Sequence, residues 1–147
     1  MKTSAPLDSF SPHLLSVLRI MSGLLFLEHG TSKLLGVPPS AMHWSFQVAS
    51  PMGWSGILEF VGGILLVIGL FTRITAFICS GEMAAAYFIA HAPHGFLFTL
   101  INHGETPAIL SFLWLYIALV GPGPWSLDGM LARARRGAVP AASGPGS

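Results

Sequence analysis

Apolar residues are gathered into four blocks, each interrupted by few polar positions. A helix needs roughly 20 mostly apolar residues to cross a bilayer. Three blocks come close to that length: 13–30 (HLLSVLRIMSGLLFLEHG), 54–71 (WSGILEFVGGILLVIGLF) and 74–92 (ITAFICSGEMAAAYFIAHA). The fourth, 107–120 (PAILSFLWLYIALV), is shorter and extends to 105–121 when its helix begins near Glu105. Runs of this length, with glycine and other small residues inside, read as helices rather than barrel strands. The predicted architecture is all-α, a polytopic membrane four-helix bundle over 13–131. An N-terminal segment, 1–12, precedes it, and a tail, 132–147, follows, basic at first and then disordered by composition (GAVPAASGPGS). Lys2 ahead of the first block invites a signal-peptide reading. Arg19 and Glu28 inside the block, its length and the lack of an A-x-A site favour an anchor that stays.

An even number of spans puts both termini on one side. Lys2, Arg73, Arg133, Arg135 and Arg136 fall on that side, against Lys33 alone in the two opposite connections. The positive-inside rule therefore places the N and C termini in the cytoplasm. Connections 31–53 and 93–106 then face outward, with Trp44, Phe46, Trp54, Phe96 and Phe98 forming an aromatic belt at that boundary.

Composition sharpens the picture by exclusion. Of 147 residues, 52% are hydrophobic and 9% charged, where soluble domains carry about 25% charged residues. A net charge of +1 with no basic stripe leaves no source of phosphate affinity and excludes a nucleic-acid binder. A single cysteine, Cys79, excludes a disulfide framework, a CxxC pair and a cysteine-ligated metal. On an apolar helix it reads as a small core residue.

The candidate chemistry lies in charges within the apolar blocks: Arg19, Glu28, Glu59 and Glu82. Each costs about 2.5–3.5 kcal/mol at a bilayer centre and so needs a partner, a cavity or a proton. At ~1.5 Å per residue, Arg19 lies roughly 9 Å and Glu82 roughly 12 Å from the inner boundary, a matched depth that allows an intramembrane ion pair. Fixing helix register is the leading role for that pair, ahead of a proton or substrate role. Glu28 and Glu59 share the outer half, with Lys33, His29, His91 and Glu105 near the same boundary. Arg19 and Glu28 lie about 180° apart at 100° per residue, so they need different partners. Lys33 returns to Arg19's face, unless Gly30 ends the helix between them. Glu59 precedes Gly62 and Gly63 by one turn, where a neighbouring backbone or a planar ligand could come close, and a buried carboxyl group there could exchange protons. Glu28 with Lys33 reads first as a snorkelling pair.

His91, His94 and His103 cluster in the third connection, with His29 and His43 on the same side. Haem ligation needs two imidazoles facing each other inside the bundle, and His29 and His91, the two that could do so, sit at span ends. No HxxxH or HExxH spacing supports a metal site, and a hydrated loop is favoured. Small residues at Gly62/Gly69, Ser80/Ala84 and Gly81/Ala85 mark helix-packing faces.

Taken together, LRIMSGLLFLEHGTSKL (18–34), EFVGGILLVIGLFTR (59–73), HAPHGFLF (91–98), the Gly104–Glu105 pair and GPGPWSLD (121–128) resemble the DoxX family of small four-helix inner-membrane proteins, over roughly 18–131. The resemblance implies a membrane subunit in a redox setting. A relative, DoxD, is a subunit of thiosulfate:quinone oxidoreductase, and other members associate with thiol and superoxide enzymes. Arg19, Gly30, Lys33, Glu59, Gly63, Thr72, Arg73, Glu105, Gly121, Gly123, Ser126, Leu127 and Asp128 occupy motif positions, with no catalytic set attached to them. Two motifs have mechanical readings. Thr72 can cap the third helix while Arg73 anchors to inner-leaflet phosphates. Gly121 and Pro122 end the fourth helix, and Ser126 or Asp128 caps a short surface helix, 129–136, that carries three arginines.

Three functions compete. The first is an accessory subunit of a quinone-linked membrane redox system in the bacterial inner membrane, with Glu28, Lys33, Glu59, Gly62, Gly63 and Glu105 as the candidate polar and quinone site. It has no covalently bound cofactor or metal, and electrons would come from a partner protein. The second is a non-catalytic scaffold or assembly protein. The third is a small-solute or proton transporter, weakened by the absence of paired broken helices. The expected partners are the bilayer and a redox complex, and a homo-oligomer is allowed.

Overall fold

The computed structural model describes residues 9–39 and 50–137. The expectations for His43, Trp44, Phe46, the first eight residues and the tail beyond Gly137 lie outside the described residues. Helix α1, Ser11–Leu35, opens with a proline in its first turn and ends on Gly36 in the left-handed region, whose N–H reaches Ser32 O. Gly30 does not end it, and Lys33 remains helical. Helix α2, Pro51–Ile68, is capped by Ser50, whose Oγ accepts from the Gly53 N–H at 3.0 Å. It stops at Gly69 (φ 70°), which a side chain would strain.

Helix α3, Thr72–Ala86, passes into a π turn, Tyr87–His91, and a 3₁₀ turn, Ala92–His94. A single turn, α4 (Thr99–Asn102), leads to α5, Glu105–Val120, and the described chain ends in α6, Leu127–Gly137. No strand occurs among the described residues. Three helical stretches are long and apolar enough to cross a membrane: Ser11–Leu35, Pro51–Ile68 and Thr72–His94. Glu105–Val120 is a shorter apolar helix.

Helix α1 packs along α2, α3 along α5, and α2 against α3. The core is Phe26, Leu66, Ala76, Cys79, Met83, Leu110, Trp114 and Ile117. Phe26 meets Trp114 edge to face at 4.3 Å, and the indole N–H donates to Ser22 Oγ at 3.2 Å. The usual distribution of polarity is inverted. Ser16, Arg19, Glu59 and Thr72 are buried, while Leu14, Met21, Ile74, Phe77, Phe112 and Leu119 are each more than half exposed. An apolar exterior around an interior that also holds polar and charged groups suits a hydrocarbon solvent.

Backbone contact between α1 and α2 depends on two glycines. A Cβ at Gly30 would lie 2.4 Å from Phe60 N, and one at Gly63 would lie 2.7 Å from Leu27 N. Each glycine therefore admits the other helix's main chain. Gly62 lies against Cys79 Sγ in the same way, whereas Gly81 faces open space and does not pack.

At the end where α1 begins, charged and polar side chains close three helix termini. The Arg73 guanidinium donates to the carbonyls of Ala118 (2.9 Å), Leu119 and Val120 (3.1 Å) at the C-terminus of α5. These carbonyls are its partners in the structure. Thr72 does not cap α3. Phe71 holds the cap position at φ 50°, and Asp128 accepts from Phe71 N (2.9 Å) and Thr72 N (2.8 Å). Ser126 caps α6 by accepting from Gly129 N at 3.1 Å.

Candidate functional site

The α1–α2 register sets Lys33 beside Ser55 and Glu59, which share a face of α2 at a spacing of four. Lys33 Nζ lies 2.6 Å from Glu59 Oε1 and donates to Ser55 Oγ at 2.8 Å. Helix α3 adds Glu82, whose Oε1 accepts from Ser55 Oγ at 2.8 Å, while Glu59 Oε1 lies 3.3 Å from the same hydroxyl. Lys33–Glu59 is the one ion pair among the described residues. Glu59 is 2% exposed and Lys33 15%. Two oxygens in the group, Glu59 Oε2 and Glu82 Oε2, are buried without a hydrogen-bond partner. One ammonium and one hydroxyl hydrogen thus serve two carboxyl groups. Such a cluster can hold a charge or a proton inside an apolar bundle.

The expected Arg19–Glu82 ion pair is not formed. Arg19 is fully buried and donates to backbone carbonyls: Nε to Pro122 O (2.9 Å), Nη1 to Leu66 O and to Val67 O (2.9 Å), and Nη2 to Trp125 O. The guanidinium closes the C-terminal end of α2 and ties it to the GPGPW turn, where a cation also complements the helix dipole. Glu82 belongs instead with Glu59. The tight turn at 69–71 makes α2 and α3 a hairpin, and Glu59 and Glu82 each lie ten residues from it, counted from Gly69 and from Thr72.

Of the other predicted site residues, Glu28 is exposed on α1 and Glu105 is exposed in the first turn of α5. Neither joins the cluster. Gly62 and Gly63 offer no slot for a planar ring, because Cys79 Sγ, Phe26 and the Leu27 backbone fill the space beside them. Sequence reasoning missed Ser55, although its place four residues before Glu59 was a readable signal. His91 Nδ1 is paired with Asn102 O at 2.8 Å and His29 Nδ1 with Leu25 O at 2.8 Å. Room for a ligand lies elsewhere, in a groove of about 530 Å³ between α3 and α5. Phe77, Ile78, Gly81, Tyr87, Phe88 and Phe112 are among the residues that line it.

Comparison with known proteins gives the same assignment as the motifs. The DoxX family model matches residues 14–92. An uncharacterized protein of Haemophilus influenzae is 44% identical over 125 residues, covering 83% of this chain and 93% of the relative. Inner membrane protein YqjF of Escherichia coli is 28% identical over 130 residues, covering 78% of this chain and 89% of that one. The uncharacterized membrane protein Rv3486 of Mycobacterium tuberculosis is 28% identical over 138 residues, covering 79% and 80%. No solved structure matches the chain significantly. With more than half its length matched by the family model and a relative 44% identical over 83% of it, the chain belongs to the DoxX family of membrane proteins.

Proposed function

We propose that this DoxX protein is an accessory subunit of a quinone-linked redox system in the bacterial inner membrane, its three long helices and the shorter Glu105–Val120 spanning the bilayer and both termini in the cytoplasm. The observation that supports this reading is the buried Lys33–Ser55–Glu59–Glu82 cluster. Ionisable residues inside a span are costly, at about 2.5–3.5 kcal/mol each, and mark functional sites by default. Because the glycine pair is closed to a ring, a quinone taken from the bilayer belongs in the α3–α5 groove, an apolar space opening on the lipid-facing side of α3.

The test is the quinone content of the protein purified in nanodiscs, extracted and quantified for wild type, Glu59→Gln and Gly81→Phe. A Cβ at Gly81 meets open space and Gly81 lines the groove, so a phenylalanine there is chosen to fill it. Near-stoichiometric quinone in wild type, lost in Gly81→Phe, is the expected result. Background quinone in all three would leave the second reading, a non-catalytic scaffold. That reading is favoured by Arg19, Arg73, Ser126 and Asp128, four motif positions whose side chains are all spent on closing helix ends.

A further inference from the structure

Three helices each contribute to one partly buried group: Lys33 from α1, Ser55 and Glu59 from α2, and Glu82 from α3. Cys79 lies one turn before Glu82 and against Gly62. The charged groups are one ammonium and two carboxyls, so the cluster is neutral with one added proton. The donors are equally telling. Lys33 serves Glu59 Oε1 and Ser55 Oγ, and the single hydroxyl hydrogen of Ser55 is left to serve Glu82 at 2.8 Å or Glu59 at 3.3 Å. Neither Glu59 Oε2 nor Glu82 Oε2 receives any donor, although Glu59 is 98% buried by its 2% exposure. Leaving buried carboxylate oxygens bare costs more than most of the hydrogen bonds a protein makes.

We propose that Glu59 and Glu82 share one exchangeable proton, passed between them through the Ser55 hydroxyl. With the proton on Glu82 Oε1, that O–H bond breaks as a new one forms at Ser55 Oγ. The original Ser55 hydrogen moves to Glu59 Oε1. Ser55 is left a neutral hydroxyl, Glu82 becomes the carboxylate and Glu59 the acid, and no electrons change hands. Lys33 Nζ, within hydrogen-bond distance of both Ser55 Oγ and Glu59 Oε1, stabilises the negative charge during transfer. Glu59 is sealed inside, whereas Glu82 is half-buried, so Glu82 is the member through which the proton enters and leaves. The inference stands on the cluster alone and does not require a quinone.

Infrared spectroscopy of the full chain in nanodiscs at neutral pH tests it. Wild type is expected to show the carbonyl stretch of a protonated carboxylic acid, shifting on transfer to D₂O. Glu82→Gln and Glu59→Gln should each abolish that band, because one ammonium then faces one carboxylate. Ser55→Ala should keep the band, now confined to Glu82, but move its frequency, because the acid loses its hydroxyl partner, and Ser55→Thr should restore it. Tryptophan fluorescence melting on the same samples confirms folding. Should a glutamine variant not fold, the Ser55 pair carries the test. No band in wild type, a band surviving either glutamine substitution, or an unmoved band in Ser55→Ala would overturn the proposal. Quinone measured on the same preparations keeps the redox reading separate, since either result can fail without the other.

Discussion

Arg19 shows how a residue can be legible in importance and illegible in partner. Its position inside an apolar block demanded compensation, and the obvious candidate was an acid at matched depth. The structure supplies four carbonyl oxygens instead, from Leu66, Val67, Pro122 and Trp125. Backbone oxygens occur at every position and leave no mark in a sequence, so this partner set could not be read from it. The planar guanidinium, with five fixed donors, reaches several carbonyls at once, and an ammonium cannot. Arg19→Gln is therefore expected to lower stability by on the order of 3 kcal/mol or more, because charged hydrogen bonds are lost and buried carbonyls are left unpaired. Arg19→Lys should recover little of it. Thermal melting in detergent, followed by tryptophan fluorescence, checks this, and an unchanged midpoint in Arg19→Gln would refute the carbonyl-clamp account. Glu82 is the opposite case. Counting residues outward from the 69–71 turn pairs it with Glu59, so its place was readable once α2 and α3 were treated as a hairpin and not as two depths.

At the scale of the helices, glycine placement decides the chemistry indirectly. Gly30 lies on the Phe60 backbone, Gly63 on the Leu27 backbone and Gly23 against Leu66 and Val67, a single antiparallel register sustained along the whole α1–α2 crossing. That register delivers Lys33 to Ser55 and Glu59 at one end and Arg19 to the last carbonyls of α2 at the other. A methyl group at Gly63 would sit 2.7–2.8 Å from Leu27 main-chain atoms, which cannot yield without moving the helix. Gly63→Ala is expected to destabilise by about 1–3 kcal/mol, the usual cost of overpacking. Gly81→Ala, in open space, should be neutral or stabilising by up to about 1 kcal/mol through helix propensity. Paired melts of the two variants separate the contact from composition, and equal midpoints would show that the crossing tolerates expansion. Small residues were visible in the sequence as packing signals, yet Gly81 carries the same signal as Gly63 and faces a groove. Which small residues meet a neighbour depends on helix rotation, and short spacing motifs do not fix it.

Across the whole molecule the two ends are built differently. Where α1 begins, Arg19, Arg73 and Asp128 close the C-terminus of α2, the C-terminus of α5 and the N-terminus of α3, so the GPGPWSLD segment acts as a fastening. The other half of the bundle carries the ionisable cluster, and there α3 loosens into π and 3₁₀ turns. The three long apolar helices and the shorter fourth, Glu105–Val120, followed from hydrophobic blocks alone. The fastening did not, since Asp128 acts on α3 across 56 residues rather than on the helix it begins. The arginines cluster at the fastened end: Arg73 is there, and Arg133, Arg135 and Arg136 lie on α6 beside exposed Met130 and Leu131. Lysine and arginine in short flanking segments set orientation by remaining cytoplasmic, and a basic amphipathic helix favours an anionic membrane surface. A reporter fused after Arg136 is therefore expected to stay in the cytoplasm, with a fluorescent protein bright and alkaline phosphatase inactive. The reverse pattern would place the fastening and the arginines outside, and the cluster half would then face the cytoplasm. In that case the proton on Glu82 would exchange with the cytoplasmic rather than the external side, so the same pair of fusions fixes the direction in which the cluster communicates.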